Sequence, residues 1–156
     1  GVVLLAKNGH INALLQAGQM QKTYHAITFG GPEQNSGIID APIARKPLPS
    51  LLREIREDGK RSVTEYRVLE QNGMLCKLKL RPITGRTHQI RVQFSHRKLP
   101  LLGDIRYGSK ADCSPALWSH HLAFIHPVTK RNVSVTAPPP HQYPWTLFEM
   151  EIYQPL

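Results

Sequence analysis

Long hydrophobic runs are missing from this 156-residue chain. The longest aliphatic stretch, residues 2–6 (VVLLA), falls far short of the roughly 20 apolar residues needed to cross a bilayer. No stretch has the order of a secretory signal, so membrane spanning and secretion are disfavoured. Cysteine is scarce too: Cys76 and Cys113 are the only two. They are too few and too separated for a disulfide framework or a Cys-x-x-Cys metal site, and are expected to be reduced thiols in the cytoplasm. Acidic residues are outnumbered, eleven Asp and Glu against twenty Lys and Arg, for a net charge of +9. Repeats and low-complexity segments are absent. What is present, 40% hydrophobic and 20% charged residues, suits a globular chain of one domain.

The charge is local. Residues 77–110 hold nine basic residues (Lys77, Lys79, Arg81, Arg86, Arg91, Arg97, Lys98, Arg106, Lys110) against the single acid Asp104, a net of +8. The rest of the chain is close to neutral. Like charges this dense repel unless an anion visits them, and a phosphate backbone is the commonest such anion. The alternative is a solvated basic face kept for solubility.

The opening residues 1–7 (GVVLLAK) are expected to form a buried strand. A native fold rarely opens inside a buried strand, so the chain is expected to be a piece, with part of the fold upstream. Asn8 is placed to cap a short helix carrying Ile11, Leu14 and Leu15 and ended by Gly18. Residues 22–29 alternate as a strand, 37–43 look extended, and 47–59 read as a flexible loop. Residues 62–70 and 74–81 form two strands joined across Asn72-Gly73, a hairpin signal. Residues 87–96 fit a helix with Ile90 and Phe94 four apart. Strands near 116–125 and 132–137 precede a proline-rich tail, which Trp145, Phe148 and Tyr153 are expected to anchor, while Trp118 and Phe124 are expected in the core. The resulting class is α+β, a mixed and largely antiparallel sheet flanked by helices.

Residues 84–108 (TGRTHQIRVQFSHRKLPLLGDIRYG) carry the most chemistry. A Gly-Arg-Thr turn leads into a helix beginning with His88, Gln89 and Arg91, which gathers donors and a long cation at a positively polarised helix start. This segment resembles the RluA-type family of RNA pseudouridine synthases, whose pattern runs T-G-R-T/S/P-H-Q-I/L-R-V-H/Q and then G-H-P-L/I-x-G-D-x-x-Y-G. The resemblance extends over nearly the whole chain. Residues 1–7 are like the strand after the family's first motif, and Lys22-Thr23-Tyr24-His25-Ala26 is like its K-x-Y-x-A strand. Residues 37–43, Thr64-Glu65-Tyr66, residues 117–127 and the strand before Pro138 also fit. The resemblance implies a partial catalytic domain, residues 1–156, expected to be truncated on its N-terminal side.

Two departures stand out. Arg97-Lys98-Leu99-Pro100 replaces the usual Gly-His-Pro, and the His-Arg-Leu-Asp motif that carries the family's nucleophilic aspartate does not occur in the chain. Asp40 and Asp104 match family positions other than the nucleophile and read as turn or capping carboxylates. The resemblance implies isomerisation of uridine in ribosomal or transfer RNA: the C1′–N1 bond breaks, the base turns and rejoins through C5. No cofactor or metal is required. A carboxylate either attacks C1′ or removes the 2′ proton. Arg91 matches the guanidinium that holds this carboxylate ionised, and Tyr24 the tyrosine that packs on the target base. Arg86, His88, Gln89 and Lys22 are expected near the RNA backbone or the pocket wall, with His88 equally readable as a structural hydrogen-bonding residue.

The residues alone leave plainer readings open: a surface ion pair for Arg91 and a core position for Tyr24. Eight histidines invite a metal, but neighbours such as His120 and His121 point to opposite faces of a strand and lack Cys or acidic partners at ligand spacing. The chain as numbered is expected to bind RNA weakly and to be inactive alone. The alternatives are a non-catalytic RNA-binding module on the same scaffold and a basic domain serving protein partners. Oligomeric state is not legible, with a monomer as the default.

Overall fold

A computed structural model describes residues 1–149. Helix α1 (Gly9–Ala17) begins as expected: Asn8 Oδ1 accepts from Ile11 N at 2.9 Å, and the Gly18 N–H closes the other end on Leu14 O. Strand β1 (Met20–Phe29) follows, then β2 (Ser36–Asp40), β3 (Ile43–Arg45), β4 (Arg53–Ile55), β5 (Val63–Asn72), β6 (Leu75–Pro82), helix α2 (Gln89–His96), a 3₁₀ turn (Ile105–Tyr107), β7 (Leu117–Ile125), β8 (Asn132–Thr136) and a second 3₁₀ turn (Trp145–Leu147). Six strands form one antiparallel sheet in the order β2-β5-β6-β1-β7-β8, and β3 pairs with β4 in a separate two-stranded sheet. The class is α+β.

Strand β1 lies at the middle of the sheet, between β6 and β7, and both its faces are covered. His25, Ala26, Ile27 and Thr28 are therefore all buried in succession, as expected for a strand roofed on two sides. On the front face Ala26, Leu78 and Leu80 pack under Ile90 and Phe94 of α2, with Tyr66 edge-on to the Phe94 ring. On the back face Ile27, Leu102 and Ala116 pack against Trp145 and Phe148, which anchor the tail as expected. Trp118 packs beside this cluster and donates from Nε1 to Ala137 O at 2.9 Å, whereas Phe124 is half-buried. Tyr153 lies outside the described residues. The hairpin β5–β6 turns at Gly73, whose φ of +58° explains the glycine after Asn72.

Three expectations need correction. Residues 1–6 are not a strand: Val2 N donates to Ser119 O, while Val3 (77% exposed) and Leu5 (84%) face outward. Residues 47–59 are not wholly loop, since Arg53–Ile55 pairs with Ile43–Arg45. A three-residue strand is too short to show alternation; what holds it is packing of Ile55 and Leu52 beside Ile43, Val92 and Tyr107. Helix α2 begins two residues later than expected, because His88 adopts a left-handed φ of 57°.

Candidate active site

The turn before α2 is fixed by two buried glutamines, four residues apart on the sheet-facing side of the helix. Gln89 Oε1 accepts from Thr84 Oγ1 and Arg86 N, and its Nε2 donates to Val63 O and Thr64 Oγ1. Gln93 Oε1 accepts from Thr64 Oγ1, and its Nε2 donates to Ser62 O at 2.8 Å. Every polar atom of this network is satisfied, which makes it a rigid joint between α2 and the start of β5. Gln89 thus spends its amide on the fold, and its backbone partner Arg86 is presented at the surface.

An open cleft of about 1010 Å³ lies at this end of the sheet. It is lined by Lys22 and Tyr24 of β1, by Arg81, and by Arg86, His88, Gln89 and Arg91 of the turn and helix. All six residues singled out from the sequence meet there. Four of the lining side chains are cationic (Lys22, Arg81, Arg86 and Arg91) and none is a carboxylate, although Arg81 is paired with Glu65 and Arg91 with Asp104 behind the lining. A smaller depression of about 460 Å³ shares Gly85 and Arg86 and is walled by Arg45, Arg53 and Lys60.

Arg91 has 20% of its side chain exposed and reaches into the fold. Its Nε and Nη2 donate to the two oxygens of Asp104, each at 2.7 Å, and its guanidinium carbon lies 4.8 Å from the centre of the Tyr107 ring. The Tyr107 hydroxyl accepts from Arg53 N at 3.0 Å and lies 2.9 Å from His88 Nδ1. That oxygen can accept a second hydrogen bond or donate its own proton, so its contact with Nδ1 suits either tautomer of a neutral His88. Burial and the neighbouring charges of Arg91 and Arg53 lower the His88 pKa, favouring the neutral ring.

Tyr24 packs against the front core. Burial raises its pKa, opposed by the Ser119 hydroxyl, so the phenol stays protonated at neutral pH. Asp40 is exposed and paired with Arg61, and Asp104 is 1% exposed with both oxygens occupied. Neither is among the cleft-lining residues, although Asp104 contacts Arg91, which is. The sequence reading missed Asp104 as the partner of Arg91, together with Tyr107 and Gln93. The signal available for the first two was their place in the same G-D-x-x-Y-G segment. Among the described residues no group of three or more His, Cys, Asp or Glu side chains is arranged to hold a metal, and no helix is long and apolar enough to cross a membrane.

An aromatic ring and a guanidinium in one cleft are side chains able to stack on a planar base and to meet an anion. Comparison with known proteins makes this specific. Residues 1–96 match the family model described as RNA pseudouridylate synthase, and the chain belongs to that family. It is 38% identical to an RNA pseudouridine synthase of Zymomonas mobilis over 152 residues, covering 92% of this chain and 69% of the relative. It is also 38% identical to the RNA pseudouridine synthase YjbO of Bacillus subtilis over 146 residues, 90% of this chain and 52% of that protein. The chain thus spans about half the length of that relative. Among solved structures, human RNA pseudouridylate synthase domain containing 1 superposes with a TM-score of 0.74 at 26% identity, over 85% of this chain and 60% of that one.

Proposed function

We propose that this chain is part of the catalytic domain of an RNA pseudouridine synthase, an isomerase acting on uridine in ribosomal or transfer RNA. The observation that carries this reading is the convergence of Tyr24 and Arg91, from separate elements, in one cationic cleft of a family member. A ribosomal large subunit pseudouridine synthase of Haemophilus ducreyi is 39% identical over 114 residues, which supports ribosomal RNA as a substrate class. The cytoplasm, where such RNA resides, is the proposed compartment, and the free Cys76 and Cys113 are compatible with it.

In this reading a flipped uracil stacks on the Tyr24 ring. A carboxylate from outside the described residues meets Arg91 and starts cleavage of C1′–N1. The base turns, C5 bonds to C1′, the C5 hydrogen leaves as a proton and N1 gains one, so the reaction is balanced without cofactor or metal. Arg91 contributes by holding the carboxylate ionised and oriented in a partly dry site, where an unpaired carboxylate is costly. Arg86 and Lys22 contact phosphates, and His88 presents Nε2 to the RNA or the pocket wall. The complete protein, incubated with ribosomal or transfer RNA labelled with tritium at uridine C5, is expected to release label to water. Retention of all label would refute the reading.

A second reading, a non-catalytic RNA-binding module, is favoured by the lack of any carboxylate among the cleft-lining residues described. It predicts binding of the same RNA without tritium release.

A further inference from the structure

We infer that Asp104 is a positioning residue for the isomerisation proposed above, on which this inference rests. Its carboxylate clamps the Arg91 guanidinium so that the Nη1 edge is left for a second, catalytic carboxylate. Nε and Nη2 of Arg91 are both committed to Asp104 at 2.7 Å. Nη1 has no partner among the described residues.

The clamp is rigid on both sides. Asp104 sits on a tight turn in which its N–H donates to Leu101 O and its carbonyl accepts from Tyr107 N and Ser109 N. The Ser109 hydroxyl accepts from Gly103 N at 2.9 Å. Gly103 has φ +79°, and a Cβ there would lie 2.5 Å from the carbonyl oxygens of Cys113 and Ser114. On the other side the Tyr107 ring lies against the guanidinium, and its hydroxyl is tied to Arg53 N and His88. A surface arginine samples many rotamers, whereas this one is confined by two hydrogen bonds and a ring. A carboxylate docking on Nη1 therefore meets a donor already in place, which is how preorganisation lowers a barrier.

The test compares kcat and RNA dissociation constant for the complete wild-type protein, Asp104→Asn, Arg91→Ala and the double variant. Asp104→Asn is expected to lower kcat by about 100-fold, the scale of a small misplacement of a reacting group, with RNA affinity within about 3-fold of wild type. The double variant is expected to be no slower than Arg91→Ala alone, because Asp104 acts only through Arg91. If Asp104→Asn does not fold, Asp104→Glu keeps the charge but moves it by one methylene, and the same loss of kcat at unchanged affinity is expected. Wild-type turnover by the folded variant, or losses in the two single variants that multiply, would overturn the inference while leaving the proposed function standing. No turnover by wild type would overturn the proposed function and this inference with it.

Discussion

Tyr24 and His25 are neighbours on one strand that point to opposite faces and meet different fates. The Tyr24 ring reaches the cleft, while His25 is 1% exposed and stacks on His120 with ring centres 3.9 Å apart. Among the described residues neither His25 nitrogen has a hydrogen-bond partner, and its pKa is lowered to about 3 by burial first and then by His120, Lys77 and Lys79. The unfolded chain takes up this proton near pH 6.5 while the folded chain resists it until about 3. Stability conferred by neutral His25 is therefore complete above pH 6.5 and declines as pH falls, by up to about 1.4 kcal/mol per unit. Urea unfolding followed from pH 7 to pH 4 is expected to show this decline, and His25→Phe to flatten it. For Tyr24, replacement by Phe keeps the ring and removes the hydroxyl; turnover is expected to fall by about 100-fold with RNA affinity nearly unchanged, if the hydroxyl relays a proton. At this scale the motif made legible that Arg86, His88 and Arg91 lie together, and they line one cleft. It was silent on the Arg91–Asp104 pair, because residues 13 apart meet only through the fold of the intervening turn.

Helix α2 shows why an element can be legible while its role is not. Spacing of Ile90 and Phe94 reveals the apolar face, and both are buried in the front core. The same periodicity does not distinguish a solvent-facing glutamine from Gln89 and Gln93, whose amides close a network with Thr64, Val63 and Ser62. Gln93→Leu removes the acceptor for Thr64 Oγ1 and the donor to Ser62 O in a fully buried place. The loss is expected to be about 2–4 kcal/mol, since two buried polar groups are left short, and a shift in urea midpoint measures it. Capping by Asn8 and the turn at Gly73 are equally local and were equally readable. The pairing of β3 with β4 was not, because its three-residue strands owe their place to contacts with α2 and Tyr107.

Over the whole molecule, charge and topology act together. The excess of basic residues between positions 77 and 110 was visible in the sequence, and the fold concentrates part of it around one cleft by placing Arg81, Arg86 and Arg91 beside Lys22. If these cations contact phosphates, RNA affinity must fall steeply with salt through release of condensed counterions. Arg86→Ala is expected to weaken binding across RNA sequences and to reduce the log–log salt slope by about 0.7–0.9, the contribution of one phosphate contact. In the proposed function, Arg91 is the cleft residue that meets the catalytic carboxylate. The most direct measurement is turnover of uridine to pseudouridine by the complete protein and by its Arg91→Ala variant, with RNA affinity measured in parallel. Wild type should be active and the variant slower by at least about 100-fold at similar affinity; equal turnover by the two would contradict the assignment of this cleft as the isomerase site.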